Sequence, residues 1–214
     1  MKKGTKIALI VAASLVVLGL IFCGVALVGG NWARLNASMG GEIHYEQKQY
    51  AYDADQLDRI VLNDIARDIV VTASPDDQIH VSCYDSEQSY YDLDLSATGT
   101  LTITLRTTGS HWIGSFGIHL DAFDPRLEVS IPASYAGELK AKTTSGGIFL
   151  TDVTLSELSA STTSGEIALR DVSASGTAVL SSTSGDFLVE GLTAELGLNC
   201  STTSGDMRLR MRCG

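Results

Sequence analysis

Paired thiols are the first thing this chain is short of. Four cysteines occur in 214 residues: Cys23, Cys83, Cys200 and Cys213. Cys23 sits inside an uncharged apolar run. The remaining three are an odd number and build no complete disulfide framework, so a single Cys200–Cys213 bridge is the only pairing considered. No C-x-x-C pair occurs, which argues against a structural zinc site. Positive charge is also scarce. The net charge is −10; Lys2, Lys3 and Lys6 precede the apolar run, and all 25 acids follow it. The part after the run is therefore more acidic than the whole. That composition excludes nucleic acid and anionic membrane surfaces as partners. The acids are scattered, as on a solvated face. No convincing amphipathic helix appears after residue 30, which leaves an outer domain that is nearly all β.

At the start stands "IALIVAASLVVLGLIFCGVALV", Ile7 to Val28, without a charge. As a helix it reaches roughly 33 Å, enough for a hydrocarbon layer of about 30 Å. It has no polar stripe, so it is not a core helix. It is longer than a secretory signal's apolar region and no A-x-A site follows. Phe22 is too bulky before Cys23 for a lipobox. The expectation is one transmembrane helix over 7–30, with residues 1–6 as a basic cytoplasmic tail by the positive-inside rule. Residues 31–50 read as a stalk, and 51–214 as an extracytoplasmic β-repeat domain.

Within that domain "LDRIVLND", "DIVVTAS", "QIHVSCYD", "YDLDLSATG", "TLTITLR" and "RLEVSIP" read as short strands, with "SATGT" as a hairpin turn. From about residue 138 a repeat takes over. T-T-S-G or S-T-S-G stands at 143–146, 162–165, 182–185 and 202–205. Apolar residues recur three and five positions after each Ser: Ile148, Ile167, Phe187 and Met207, then Leu150, Leu169, Val189 and Leu209. They recur six and four positions before it: Leu139, Leu158, Ala178 and Leu198, then Ala141, Ala160, Leu180 and Cys200. Each repeat is a strand, a Ser-Gly corner, a second strand, and a return turn near "TDV", "RDV" or "VEG". One unit cannot bury its apolar face alone, and stacking solves this. The expected fold is a right-handed β-solenoid of ~20-residue coils; an antiparallel meander places the same residues on one face.

In that register the corners Ser145–Gly146, Ser164–Gly165, Ser184–Gly185 and Ser204–Gly205 serve structure. The glycines are expected to supply positive φ. The serines, with Thr143, Thr162, Ser182 and Thr202, are expected to point inward as hydroxyl columns. A nucleophilic Ser needs a base beside it, and no His, Lys or Cys recurs there.

The stretches "TTSGGIFLTDV", "TTSGEIALRDV", "STSGDFLVEGL" and "TTSGDMRL", with the upstream half from about residue 50, resemble the T-T-S-G-D-I repeats of the bacterial putative-adhesin family, LiaG-like envelope proteins included. The resemblance implies a solenoid-like, membrane-tethered protein, without a defined biochemical function, that sits in some cases in envelope-stress systems. Gly147 departs from the pattern by replacing an acid, and the fourth repeat is short.

Two stretches remain as candidate sites. The loop 107–125 carries His111, Trp112, Phe116, His119, Asp121 and Asp124. Its aromatics form a contact surface or fold back over an open sheet edge; two histidines eight apart have no metal-ligand spacing. The acids Glu166, Asp186 and Asp206 stack in one column, where calcium would need a fuller oxygen cage. The sequons at 36–38 and 199–201 are too short to carry meaning. No catalytic residue, cofactor or metal is assigned. The expected function is a non-enzymatic membrane-anchored adhesin or envelope accessory that contacts an envelope protein or wall polymer, with its oligomeric state open. The alternative is a carbohydrate-active domain, which requires paired carboxylates in a cleft beside aromatics.

Overall fold

The computed structural model describes residues 44–108 and 125–211. Seventeen strands run through them: β1 (Glu46–Asp53), β2 (Arg59–Asn63), β3 (Ile69–Ala73), β4 (Gln78–Asp85), β5 (Ser89–Leu95), β6 (Thr100–Thr107), β7 (Leu127–Ile131), β8 (Glu138–Lys142), β9 (Ile148–Thr151), β10 (Thr154–Leu155), β11 (Glu157–Thr162), β12 (Ile167–Arg170), β13 (Ser173–Ala174), β14 (Thr177–Ser182), β15 (Phe187–Ala194), β16 (Gly197–Thr202) and β17 (Met207–Met211). Ala54–Gln56 form one 3-10 turn. The described residues are otherwise strands and turns, and no helix among them is long and apolar enough to cross a membrane. The span expected at 7–30 lies outside them.

The strands form stacked walls. Wall A has the order β1-β4-β7-β3-β9-β12-β15, with β17 on β15; wall B has the order β16-β14-β11-β8-β2-β6-β5. A narrow wall C consists of β10, β13 and the end of β15. Within walls A and B the repeat strands pair in parallel and like residues meet. Ile148, Ile167, Phe187 and Met207 form one column, and Leu139, Leu158, Ala178 and Leu198 another. Parallel pairing removes the meander and gives a stacked-coil domain. The columns between the walls are dry from Ile69 and Ile60 up to Phe187 and Leu180, each residue at most 2 % exposed. Each such side chain contributes roughly 1.5–3 kcal/mol relative to exposure.

The lattice begins earlier than residue 138. β2 and β3 make a full rung beneath β8 and β9, with Ile60 under Leu139 and Ile69 under Ile148. Below it lies the rung β6–β7, parallel to β2 and β3. Lower still, β4 and β5 run antiparallel, and β1 closes wall A. After the basal strand β1 the chain thus lays down the upper rung β2–β3, returns to build the rest of the base, and resumes at β8. β1 also takes Glu46–Tyr50 into wall A, residues expected in the stalk.

The first corner departs from expectation in two ways. The glycines there are not the positive-φ residues. Left-handed backbone occurs instead at the second corner, at Asp152 (φ 56), Asp171 (φ 50) and Gly191 (φ 72). Aspartate and glycine suit that region because a short polar side chain or none relieves the Cβ clash. The corner glycines are needed for contact. A Cβ on Gly165 would overlap the carbonyl oxygen of Gly146, one on Gly185 that of Gly165, and one on Gly205 that of Gly185. The four serines, expected inward, are exposed; the tight approach of the glycines swings them out.

The inward hydroxyl is that of the first Thr. Thr162 Oγ1 accepts from Gly165 N at 3.0 Å and donates to Gly146 O at 3.2 Å. Thr143 and Ser182 accept from Gly146 and Gly185 in the same way. The hydroxyl therefore joins consecutive corners through backbone groups, not through a hydroxyl chain. Hydroxyl pairs do stack on outer faces: Ser181 on Ser161 at 3.0 Å in wall B, and Thr72 with Ser130 at 3.3 Å in wall A.

Candidate functional site

Among the described residues no His, Lys or Cys is hydrogen-bonded to Ser145, Ser164, Ser184 or Ser204. The acid column has a structural use. Asp68 Oδ1 accepts from Gly147 N at 2.7 Å, and Asp186 Oδ1 from Asp206 N at 2.8 Å. Each of these acids caps the backbone N–H of the rung above. Gly147 breaks the acid pattern because the Phe149 ring lies where its side chain would go. Among the described residues no group of three His, Cys, Asp or Glu is placed to hold a metal. The candidates His111, Trp112, Phe116 and His119 lie outside the described residues, as does Cys213. Cys83 and Cys200 are free thiols.

A polar pad missed by sequence reasoning sits beside the first corner of the lower rungs. Asp64 takes the place that Thr143 holds one rung up, and its Oδ1 accepts from the backbone of Ile65, Ala66 and Arg67. Tyr91 Oη donates to its other oxygen at 2.5 Å. Tyr91 N donates to Asp85 Oδ1 at 2.8 Å, and Lys48 Nζ lies 2.8 Å from Asp85 Oδ2. The Arg67 guanidinium lies 5.3 Å from the Tyr91 ring centroid and donates to Tyr84 O and Ser89 Oγ. Burial, then the Asp64 charge, raises the Tyr91 phenol; Asp85 raises the Lys48 ammonium. All these groups are partnered, so the pad is a brace. The signal available in the sequence was Asp64, an acid five residues before the inward Ile69, where later rungs carry a hydroxyl.

A cleft of about 510 Å³ is lined by Asp53, Ala54, Asp55, Gln56, Asp77, Gln78 and Ser134. Both glutamine amides donate to Asp53, and no aromatic ring lines it. It therefore lacks the aromatic platform expected of the glycan-cleaving alternative.

The outer face of wall A offers a different surface. One outward column reads Glu128, Val70, Phe149, Ala168, Leu188, Arg208. Its four central members are apolar and half-buried. The small Ala168 between two large neighbours leaves a dip of about 190 Å³, lined by Phe149, Ala168 and Leu188 and flanked by Thr151, Arg170 and Glu190. The adjacent column carries the Arg170–Glu190 ion pair at 3.8 Å. An apolar strip edged by charge lets a partner bury surface while polar groups fix its orientation.

These features define a class: an all-β domain of stacked coils. Residues 57–212 match the model of the Toastrack DUF4097 family, and the chain belongs to that family. Among solved structures, it is similar to a putative cell adhesion protein from Clostridium sporogenes. That likeness has 10% identity and a TM-score of 0.59, and covers 79% of this chain and 100% of the other. A putative adhesin from Parabacteroides merdae aligns at 12% identity and a TM-score of 0.36, over 79% of this chain and 82% of the other. No curated protein matches. The first likeness establishes a shared fold.

Proposed function

We propose that the protein is a non-enzymatic contact module, tethered by residues 7–30 and displayed outside the cell, that binds an envelope protein or a wall polymer through wall A. The observation that carries this reading is the outward column Val70–Phe149–Ala168–Leu188. It is apolar over four successive rungs, about 14 Å at the strand spacing, on a face where a solvated surface would place polar residues. The name of the solved structure that shares the fold, a putative cell adhesion protein, agrees with it. A role beside an envelope-stress system fits the same placement.

The test is site-specific crosslinking in intact cells. A photoreactive residue replaces Leu188 on wall A or Ser159 on wall B. A discrete adduct from position 188 that is missing from 159, and that disappears when Phe149 is changed to Ala, supports the reading. Equal capture at both positions, or none from 188, removes it. Protease added to intact cells should cut the domain; resistance until lysis would place it on the wrong side of the membrane.

A further inference from the structure

The end of the stack opposite β1 is formed by β16 and β17, and its chemistry differs from that of every rung below. Neither strand has a partner on its outer side among the described residues. Beneath it Phe187, Val189 and Leu192 are at most 1 % exposed, while Met207, Leu209 and Met211 in the same columns are 42, 43 and 45 % exposed. Between them Arg208 and Arg210 point outward, in a chain whose net charge is −10.

Three features of this edge specify what fits it. The free N–H and C=O groups of an edge strand take an extended segment by strand addition. The outward column below the edge alternates in sign from Arg170 to Glu190 to Arg210, so the next place in it suits an acid. The Asp206 carboxylate stands where Asp186 accepts the N–H of the rung above, and it has no such donor among the described residues. By register, Asp206 is the acceptor that the backbone of a further strand would meet.

We propose that the β17 edge binds an extended segment of another protein in which apolar and acidic residues alternate. That segment forms one more parallel strand of wall A. Its apolar side chains cover Met207, Leu209 and Met211. Its acids meet Arg208 and Arg210, and one of its backbone N–H groups bonds to Asp206. Arg208 also ends the outward wall A column, but Met207, Leu209, Met211 and Arg210 lie outside that column.

The full chain in detergent is titrated with two fluorescent octapeptides, one alternating Val with Glu and the other Val with Lys. The acidic peptide should bind saturably, and added salt should weaken it because the charge pairs are exposed. The double variant Arg208→Glu/Arg210→Glu should bind it about tenfold or more weakly and gain the basic peptide. Asp206→Asn should weaken both pairings while Arg170 and Glu190 remain as they are. The inference is overturned by no saturable binding at millimolar peptide, by equal binding of both peptides, or by a double variant that keeps its preference while its circular dichroism is unchanged. It is also overturned if the wild-type chain self-associates through these arginines and so excludes the peptide, since the occupant is then a second copy. Crosslinking from position 188 is read separately, so either surface can fail alone.

Discussion

Gly165 and Ser164 are neighbours with opposite duties. Ser164 is exposed, and its hydroxyl faces water. Gly165 is buried, and its Cα sits against the Gly146 carbonyl. Gly165→Ala therefore forces a backbone carbonyl to move within a column shared by several rungs, and overpacking of this kind costs about 1–3 kcal/mol or more. Ser164→Ala should stay within about 0.5 kcal/mol of wild type. Urea midpoints for the pair check this; equal values would contradict the contact role of the glycine. Thr162→Val keeps the shape and removes the hydroxyl that links Gly165 N to Gly146 O. Two backbone groups then lose a partner, and destabilisation of about 1–3 kcal/mol is expected in the same experiment.

At the scale of elements, the strands were legible because inward and outward positions alternate with period two. "QIHVSCYD" coincides with β4, and Ile79, Val81, Cys83 and Asp85 are its buried positions. The corner conformation was not legible. T-T-S-G reads as a turn with positive φ, yet its glycines answer a contact between rungs, which appears only once the rungs are stacked. The rung β2–β3 was also hidden as a rung. Its corner, D-I-A-R-D, shares no residue with T-T-S-G, although Asp64 satisfies the local N–H groups as the threonine does. The rung β6–β7 was obscured differently. Five residues lie between Asn63 and Ile69, but 22 lie between their partners Thr104 and Leu127, and such an insertion destroys any periodicity in the sequence. The register itself makes a sharp prediction. Ile167 is 0 % exposed between Ile148 and Phe187, so Ile167→Asp buries an unpaired charge and should abolish cooperative unfolding at ambient temperature. Ala168 faces outward, and Ala168→Asp should retain the folded circular dichroism spectrum. Similar losses at both positions would mean the wall is reversed.

For the molecule as a whole, the base is where the chain is least regular and most heavily braced. Lys48 on the outermost strand holds Asp85, Asp85 holds the Tyr91 backbone, and the Tyr91 phenol reaches Asp64 at the corner of the rung β2–β3. Tyr91→Phe leaves one oxygen of Asp64 without that donor, and a loss of about 1–3 kcal/mol follows. The same burial gives the protein a defined alkaline limit. Desolvation raises the Cys83 thiol from 9.0 to about 11, and it raises the Tyr91 and Tyr135 phenols above their ordinary 10.0. In each case the unfolded chain releases the proton first. Stability from these groups is complete below the unfolded values and is lost as pH rises through the folded ones. Each group lowers stability by about 1.4 kcal/mol per pH unit while it is ionised only in the unfolded chain. Urea midpoints should therefore be level near neutrality, begin to fall at about pH 9 and steepen above 10. Cys83→Ala should lose stability at every pH, since it empties part of the core, but should flatten the curve between 9 and 10, where the Cys83 thiol titrates in the unfolded chain beside that of the less buried Cys200, which burial also raises. A curve whose slope in that interval is unchanged by the substitution would show that Cys83 does not carry the first step of alkaline unfolding.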